Sequence, residues 1–548
     1  MELTLERRGI ARTLPAAIGC VLVLSACSGA SGASDDGVIT FAVADFENDA
    51  LDPAMETNTG MRTTKFLMWD SLLEIGSEGE LVPGLAEEWE ISEDGTSWNF
   101  VLREGVTFHN GEALTADDVK FSLDRMRHEN AATGDAAFAR DVIESVEVVG
   151  DHEVVVNTNG VQTSLPYLVS SHQSTIGVVM PQDYLLEEGG ETFEEQRELL
   201  ERAPVGSGPF RFVERSHGDS MVFESLDEHW RATPEIERVE FLRVSEEATQ
   251  ISMLQSGEVD IINVSPEQAG LLEETGFELR SVPQASEIGF FFPGLWRDGM
   301  EDMPAGDVRV RQALSLAINR QAIIDSVLAG YGNLKETPWN TTGATADIDA
   351  ADWESWAQRA NEYDPQRARD LLAEAGYADG FGIRVFTFPR PGVPALPQIS
   401  EIVAAQWAEI GVDAEIVPTD YNSYRPHWVG QAPDDTYNLG DANPFGTAPR
   451  FDPIGAFAAY VTREGGAAQL TSEPEVDELV EQAANTIDDA ERQALVEQAY
   501  RLFVEEWAVL EIAIVDSVFA VNGDEVGEWR VIPSYPFLGR TFETISLP

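Results

Sequence analysis

The chain has two cysteines, Cys20 and Cys27, and none in the rest of its 548 residues. No disulfide can staple whatever folds after Cys27. That part must rest on buried apolar area, and a chain this long supplies several cores; length alone predicts about two to four domains.

Cys27 sits in a telling setting. Arg7, Arg8 and Arg12 precede an apolar stretch from Leu14 to Leu24, which runs into Leu24-Ser25-Ala26-Cys27. A basic start, an apolar middle and small residues before a cut make a secretory signal peptide. A cut before cysteine resembles a bacterial lipobox. The reading is a signal over 1–26 and a lipid-modified Cys27, with 27–36 a small, polar, flexible tether. The apolar stretch of about 11 residues is too short to span a bilayer, which takes about 20. The expected place is extracytoplasmic, held by lipid on the outer face of the cell membrane.

Asp and Glu number 97 against 35 Lys and Arg, a net charge of −62. Such a surface repels nucleic acid and anionic lipid, so both are poor partners. The acids are scattered rather than blocked, which suits a solvated surface in salty surroundings. At about 1 M salt the Debye length is about 3 Å and self-repulsion is muted.

The search for catalytic patterns finds none. There is no Gly-rich phosphate loop, no His-Glu-x-x-His, no Cys-x-x-Cys and no Gly-x-Ser-x-Gly. The histidines at 109, 128, 152, 172, 217, 229 and 427 form no i, i+3 or i, i+4 pair. No enzyme activity, cofactor or metal is expected.

Local patterns give a β-rich early part and an α/β later part, hence separate domains. Val38–Val43 reads as a buried strand, and Leu51-Asp52-Pro53 turns out of it. Residues 89–108 read as a hairpin about Asp94-Gly95, and 142–157 as another about Gly150-Asp151. Thr115 to Asp118 is a capping-box start, followed by Val119, Leu123 and Met126 on one helical face. Later, Val310 to Ile324, Asp364-Pro365 to Gly376, and 475–506 carry helical spacing. The 340s and 430–470 look irregular.

From Leu81 the sequence LVPGLAEEWEISEDGTSWNFVLREGVTFHNGEALTADDVKFSLDR closely resembles the signature of family 5 extracytoplasmic solute-binding proteins, the oligopeptide, dipeptide and nickel class. Further segments follow in the family's order: Gly206-Ser207-Gly208-Pro209-Phe210, Leu254 to Asp260, Asp307 to Ala313, Ala317 to Arg320, and Tyr363 to Tyr377. The resemblance spans everything after the signal. Trp89, Trp98, Phe100, Phe108, Arg103 and His109 lie in the signature and are read as scaffold.

The resemblance implies an α/β, two-lobed, three-domain clamp of the periplasmic-binding-protein type (class II), with a discontinuous domain I. Domain I would be 37–73, 206–285 and 515–548, domain II 74–205, and domain III 286–514. A ligand would be enclosed between lobes closing about a hinge. The protein would be a monomer that serves an ABC permease and its ATPase. Its ligand would be a small peptide or, alternatively, a nickel chelate, oligosaccharide, opine or other solute.

In peptide-binding relatives an Asp before an x-Pro or Asp-Pro pair holds the ammonium terminus. Here the matching loop is Asn438-Leu439-Gly440-Asp441-Ala442-Asn443-Pro444, which makes Asp441 the first choice, with Asn438 and Gly440 beside it. Asp452, in Phe451-Asp452-Pro453, is the alternative. The facing wall would be Glu56, Thr57, Asn58 and Thr59. Trp69 is either pocket or core. Tyr421, Tyr424, Arg425, His427 and Trp428 could line the cleft, Arg425 as a carboxylate clamp.

Overall fold

The computed structural model describes residues 37–548, except 47–48, 56–58, 77–79, 134–135, 172–173, 340–349, 389–392, 394, 428–436, 449–451, 466 and 533–537. Cys27, Glu56, Thr57, Asn58 and Trp428 lie outside the described residues.

Distant segments share one sheet. Its strand order is Asn443–Thr447, Glu278–Phe291, Val509–Val521, Ile261–Val264, Val38–Val43, Arg238–Arg243, Ser220–Ser225 and Phe210–Ser216, with Gly332–Asn333 also on Val509–Val521. The expected strand Val38–Val43 forms and runs parallel to both of its neighbours. Its apolar run fits a strand covered on both faces.

A second sheet is an antiparallel set in the order Ala86–Ile91, Ser97–Leu102, Glu153–Thr158, Ile143–Gly150. Both expected hairpins are in it. The first starts earlier than the sequence indicated and closes at Gly95, whose φ of +73° suits glycine. Asp94 Oδ1 accepts from Ser92 Oγ, Thr96 N and Thr96 Oγ1, which ties the turn. Residues 103–108 are not part of the pair. The helix Ala116–Met126 starts as expected, with Thr115 N donating to Asp118 Oδ2 at 2.8 Å.

Helical spacing over 310–324 resolves into Val308–Leu316 and Arg320–Ser326, because Asn319 Oδ1 caps Ala322 N and starts a new helix. Likewise 475–506 divides into Pro474–Ala484 and Asp489–Phe503, with Asp488 capping Glu491 N. Asp364 caps Gln366 N and Arg367 N as expected, and Gly376 ends that segment at φ +96°.

Two large apolar cores result. One gathers side chains from Ile39 to Ala285 together with Phe519 to Ile545. The other runs from Ile288 to Val515. A smaller third cluster holds Leu254, Ile262, Val264, Val518 and Ala520.

Charge sews the first core's segments together. Asp70 is fully buried and accepts from Arg231 Nη1 (2.6 Å), Arg540 Nη1 (2.8 Å) and Trp230 Nε1 (2.9 Å). Arg231 also forks onto Glu543 at 3.0 and 2.7 Å, and Arg540 meets Glu74. Burial opposes ionisation of Asp70, yet Arg231, His229 and Arg540 hold its carboxyl well below the usual range. One carboxylate thus binds the early, middle and terminal segments.

Candidate functional site

Two antiparallel strands, Glu278–Phe291 and Val509–Val521, pass from one core to another. Val282 and Ala285 pack in the first core and Ile288 in the second; Val515 packs in the second and Phe519 in the first. The register slips between Val282 and Ser286, where Pro283 stands and Gln284 takes φ +55°. Proline cannot donate to the ladder, and a bulge is where a sheet tolerates it. Asp516 on the partner strand spans the slip, accepting from Gln284 N at 2.9 Å and Ser281 Oγ at 3.3 Å.

Beside this crossing lies a small crevice. Asn263, Val264 and Pro266 line it from one side, and Leu328, Val393 and Ala395 from the second core's side, with Asp516 to Val518 between. Asn263 Nδ2 donates to Ser517 Oγ and Val518 O, both at 3.0 Å, which fixes the floor.

Several expected site residues come together nearby in sequence and in space. Asn438 is fully buried, and its Nδ2 donates to Tyr424 Oη (3.0 Å), His427 O (3.1 Å) and Asn443 Oδ1 (3.1 Å). Gly440 has φ +75°, and a Cβ there would meet Met303 Cβ at 2.7 Å, so only glycine fits. Tyr424 packs between Phe386 and Phe388, and burial pushes its hydroxyl above the usual tyrosine range. It is a core residue rather than a cleft surface. His427 stacks on Tyr437 with centroids 4.0 Å apart. Arg425 is half-buried at the end of the same turn. Tyr421 opens that turn, and Thr59 opens the helix Thr59–Met68.

Asp441 is already engaged. Its Oδ1 accepts from Arg384 N (2.9 Å), and its Oδ2 accepts from Arg384 Nε (2.9 Å) and Nη2 (2.5 Å). Arg384 in turn lies over Phe386 and Tyr437. Asp452 is elsewhere: it is the N-cap residue of Pro453–Ala456, and its carboxylate faces Gly455. Its charge reaches Tyr500.

Trp69 lies on the core side of its two readings. It is fully buried in the first core, against Gly206, where a Cβ would meet Trp69 Cε3 at 2.9 Å. The scaffold reading of the signature holds for His109: Gly206 N donates to its Nδ1 (3.3 Å), and its other nitrogen meets Gly208 O (2.9 Å). Burial pulls this imidazole down to about 4. Arg103 pairs with Glu87 and lies over Trp230.

Sequence reasoning missed Arg384 and the buried set Glu287, Lys335 and Glu511. The signal was present, since each Glu interrupts a strand that is otherwise mostly apolar, and Lys335 is one of only three lysines among the residues 37–548. Among the described residues, no group of three His, Cys, Asp or Glu is placed to hold a metal ion, and no helix is long and apolar enough to cross a membrane.

Residues 80–452 match the model of bacterial extracellular solute-binding proteins, family 5. The chain is 29% identical over 447 residues to heme-binding protein A of Haemophilus influenzae, covering 74% of this chain and 76% of that one. It is 27% identical over 491 residues to the dipeptide-binding protein of Escherichia coli, covering 85% and 86%. Its structure is similar to the ABC transporter substrate binding protein CtaP from Listeria monocytogenes, with TM-score 0.76 at 21% identity over 94% of this chain and 99% of that one, which shows the same fold. Since the family's pattern runs through the signature sheet, the crossing strand Glu278–Phe291 and the Asn438 loop, the chain belongs to the bacterial extracellular solute-binding proteins, family 5.

Proposed function

We propose that this protein is the peptide-capturing, lipid-anchored subunit of an ABC import system. The observation that carries this reading is the pair of strands crossing between two cores, with a slipped register at Val282–Ser286. Such a joint lets two lobes close on a ligand and exclude water, which strengthens polar contacts. The dipeptide-binding relative supports a peptide as the ligand. An extended peptide is recognised through its main chain, so side-chain identity matters little.

In this reading domain I is 37–73, 206–285 and 515–548, domain II is 74–205, and domain III is 286–514. The protein acts as a monomer, hands its ligand to a membrane permease driven by a separate ATPase, and carries lipid on Cys27. Cys27→Ser releases it from the membrane and leaves ligand binding intact.

Glu56, Thr57, Asn58 and Thr59, with Tyr421, Arg425, His427 and Trp428, remain the proposed lining, Arg425 as the carboxylate clamp. Asp441 holds an ammonium group only by sharing or displacing Arg384, and Asp452 is the other candidate. That engagement favours a second reading: the same transport role for a non-peptide solute such as a nickel chelate, an oligosaccharide or an opine. Calorimetric titration separates the two. Heat from peptides of about two to eight residues, with none from the other solutes, supports peptide capture; the reverse pattern overturns it.

A further inference from the structure

The elements of the two large cores also meet away from the crossing strands. Gly95 closes the hairpin of Ala86–Ile91 and Ser97–Leu102, whose Trp98, Phe100 and Leu102 pack in the first core. Ile487 stands between the helices Pro474–Ala484 and Asp489–Phe503, whose Val476, Leu479 and Phe503 pack in the second. A Cβ on Gly95 would lie 2.9 Å from Ile487 Cδ1, 3.1 Å from its Cγ1 and 3.0 Å from Val161 Cγ1. The bare glycine thus lets an isoleucine from one core's helices and a valine from the other core's side lie over the same turn. Gly95 is buried, although Glu93 and Asp94 just before it are exposed.

Both sides of this contact are held in place. Gln162 N donates to Gly95 O at 3.3 Å, and Trp98 Nε1 donates to Gln162 O at 2.7 Å, which fixes Val161 beside the turn. Opposite, Arg492 Nη1 donates to Thr486 O (3.2 Å) and Ile487 O (3.0 Å), and Asp488 caps the helix that follows. Neither Ile487 nor Val161 belongs to any of the three apolar clusters. Their apolar surface leaves water where they meet the turn, and that is the favourable term in the contact. Ile487 remains 36% exposed, so the contact is shallow and can part without opening either core.

The rim of the contact is acidic on both sides. Glu93 and Asp94 flank Gly95, while Asp488, Asp489 and Glu491 follow Ile487, and all five are exposed. Arg492 pairs with Asp489, which leaves an excess of negative charge on each lip. Closing the contact brings like charges together. Salt decides how strongly they repel, because the Debye length falls from about 30 Å at 0.01 M to about 3 Å at 1 M.

We propose that Ile487, seated on Gly95 and Val161, is a latch that holds the two lobes closed, and that ionic strength sets its hold. High salt closes the latch and low salt releases it. The proposal rests on the reading of the two cores as closing lobes, and it concerns the protein before any peptide is added.

The test is a crosslink in the full-length, peptide-free protein carrying Val161→Cys and Ile487→Cys. A short bismaleimide joins the two thiols, and mass spectrometry identifies the linked peptides. N-ethylmaleimide measured in parallel corrects for thiol reactivity, and circular dichroism checks that the fold persists at both salts. The corrected yield should be at least about fivefold higher at about 1 M KCl than at about 0.01 M. Glu93→Gln with Glu491→Gln in the same background should raise the low-salt yield. Small-angle scattering gives a second reading without cysteines. The wild-type radius of gyration should be smaller in high salt, and Ile487→Ser should enlarge it there. No crosslink in high salt, equal yields at both salts, or an unchanged radius in Ile487→Ser would each overturn the latch. If a peptide that binds by calorimetry still shrinks the wild type while no crosslink forms, the latch is wrong and the two-lobe reading stands. A radius that responds neither to salt nor to that peptide removes both.

Discussion

Asp441 shows how far a single residue can be read from sequence. Its loop was legible, and Asn438, Gly440 and Tyr424 do assemble around it. Its occupancy was not legible, because Arg384 lies 57 positions away and arrives only through strand placement. Since the carboxylate already holds a guanidinium, Asp441→Asn is expected to weaken free-amine and N-acetylated peptides alike. It should cost about 1 kcal/mol of stability, the pair being partly exposed; calorimetry and chemical denaturation check both. Lys65 gives a pH test. It is fully buried, donating to Asp52 O at 2.8 Å, and burial pulls it down to about 7 against the attraction of Asp52 and Glu201. Between about 7 and the free-lysine value of 10.5, the unfolded chain holds a proton that the folded chain lacks. Wild-type stability therefore gains with rising pH in that window. Lys65→Met should be most favourable relative to wild type near pH 6, its advantage shrinking by up to about 1.4 kcal/mol per pH unit above pH 7. Denaturation midpoints measured from pH 6 to pH 9 test the slope, and a flat difference contradicts it.

At the scale of elements, local signals served well and long-range ones did not. The Asp364-Pro365 cap, the Thr115 capping box and the Asp94-Gly95 turn are decided within a few residues, and each forms where expected. The crossing strands are different. Nothing local in Glu278–Phe291 says that its first half belongs to one core and its second half to another; pairing with Val509–Val521, more than 200 positions later, decides it. Asp516 bridges the register slip there. Asp516→Ala frees Gln284 N and Ser281 Oγ and loosens the joint. Ligand affinity is expected to change severalfold with only a small shift in melting temperature. An unchanged affinity would remove Asp516 from the joint.

At the scale of the molecule, the lack of disulfides is offset by cores and by charge placed where distant segments meet. Asp70, Arg231, Arg540 and Glu543 tie the chain's late residues to its early ones. Removing one partner of a buried network leaves uncompensated charge, typically 3–5 kcal/mol. Asp70→Asn is expected to destabilise by about that amount and to expose the C-terminal segment to proteolysis first. The central claim is that two lobes close on a captured peptide. Small-angle X-ray scattering before and after a saturating peptide measures this directly. Closure gives a smaller radius of gyration with peptide bound, and the same peptide has no effect on a protein whose joint is disabled. A peptide that binds tightly while the wild-type radius of gyration stays unchanged would contradict it.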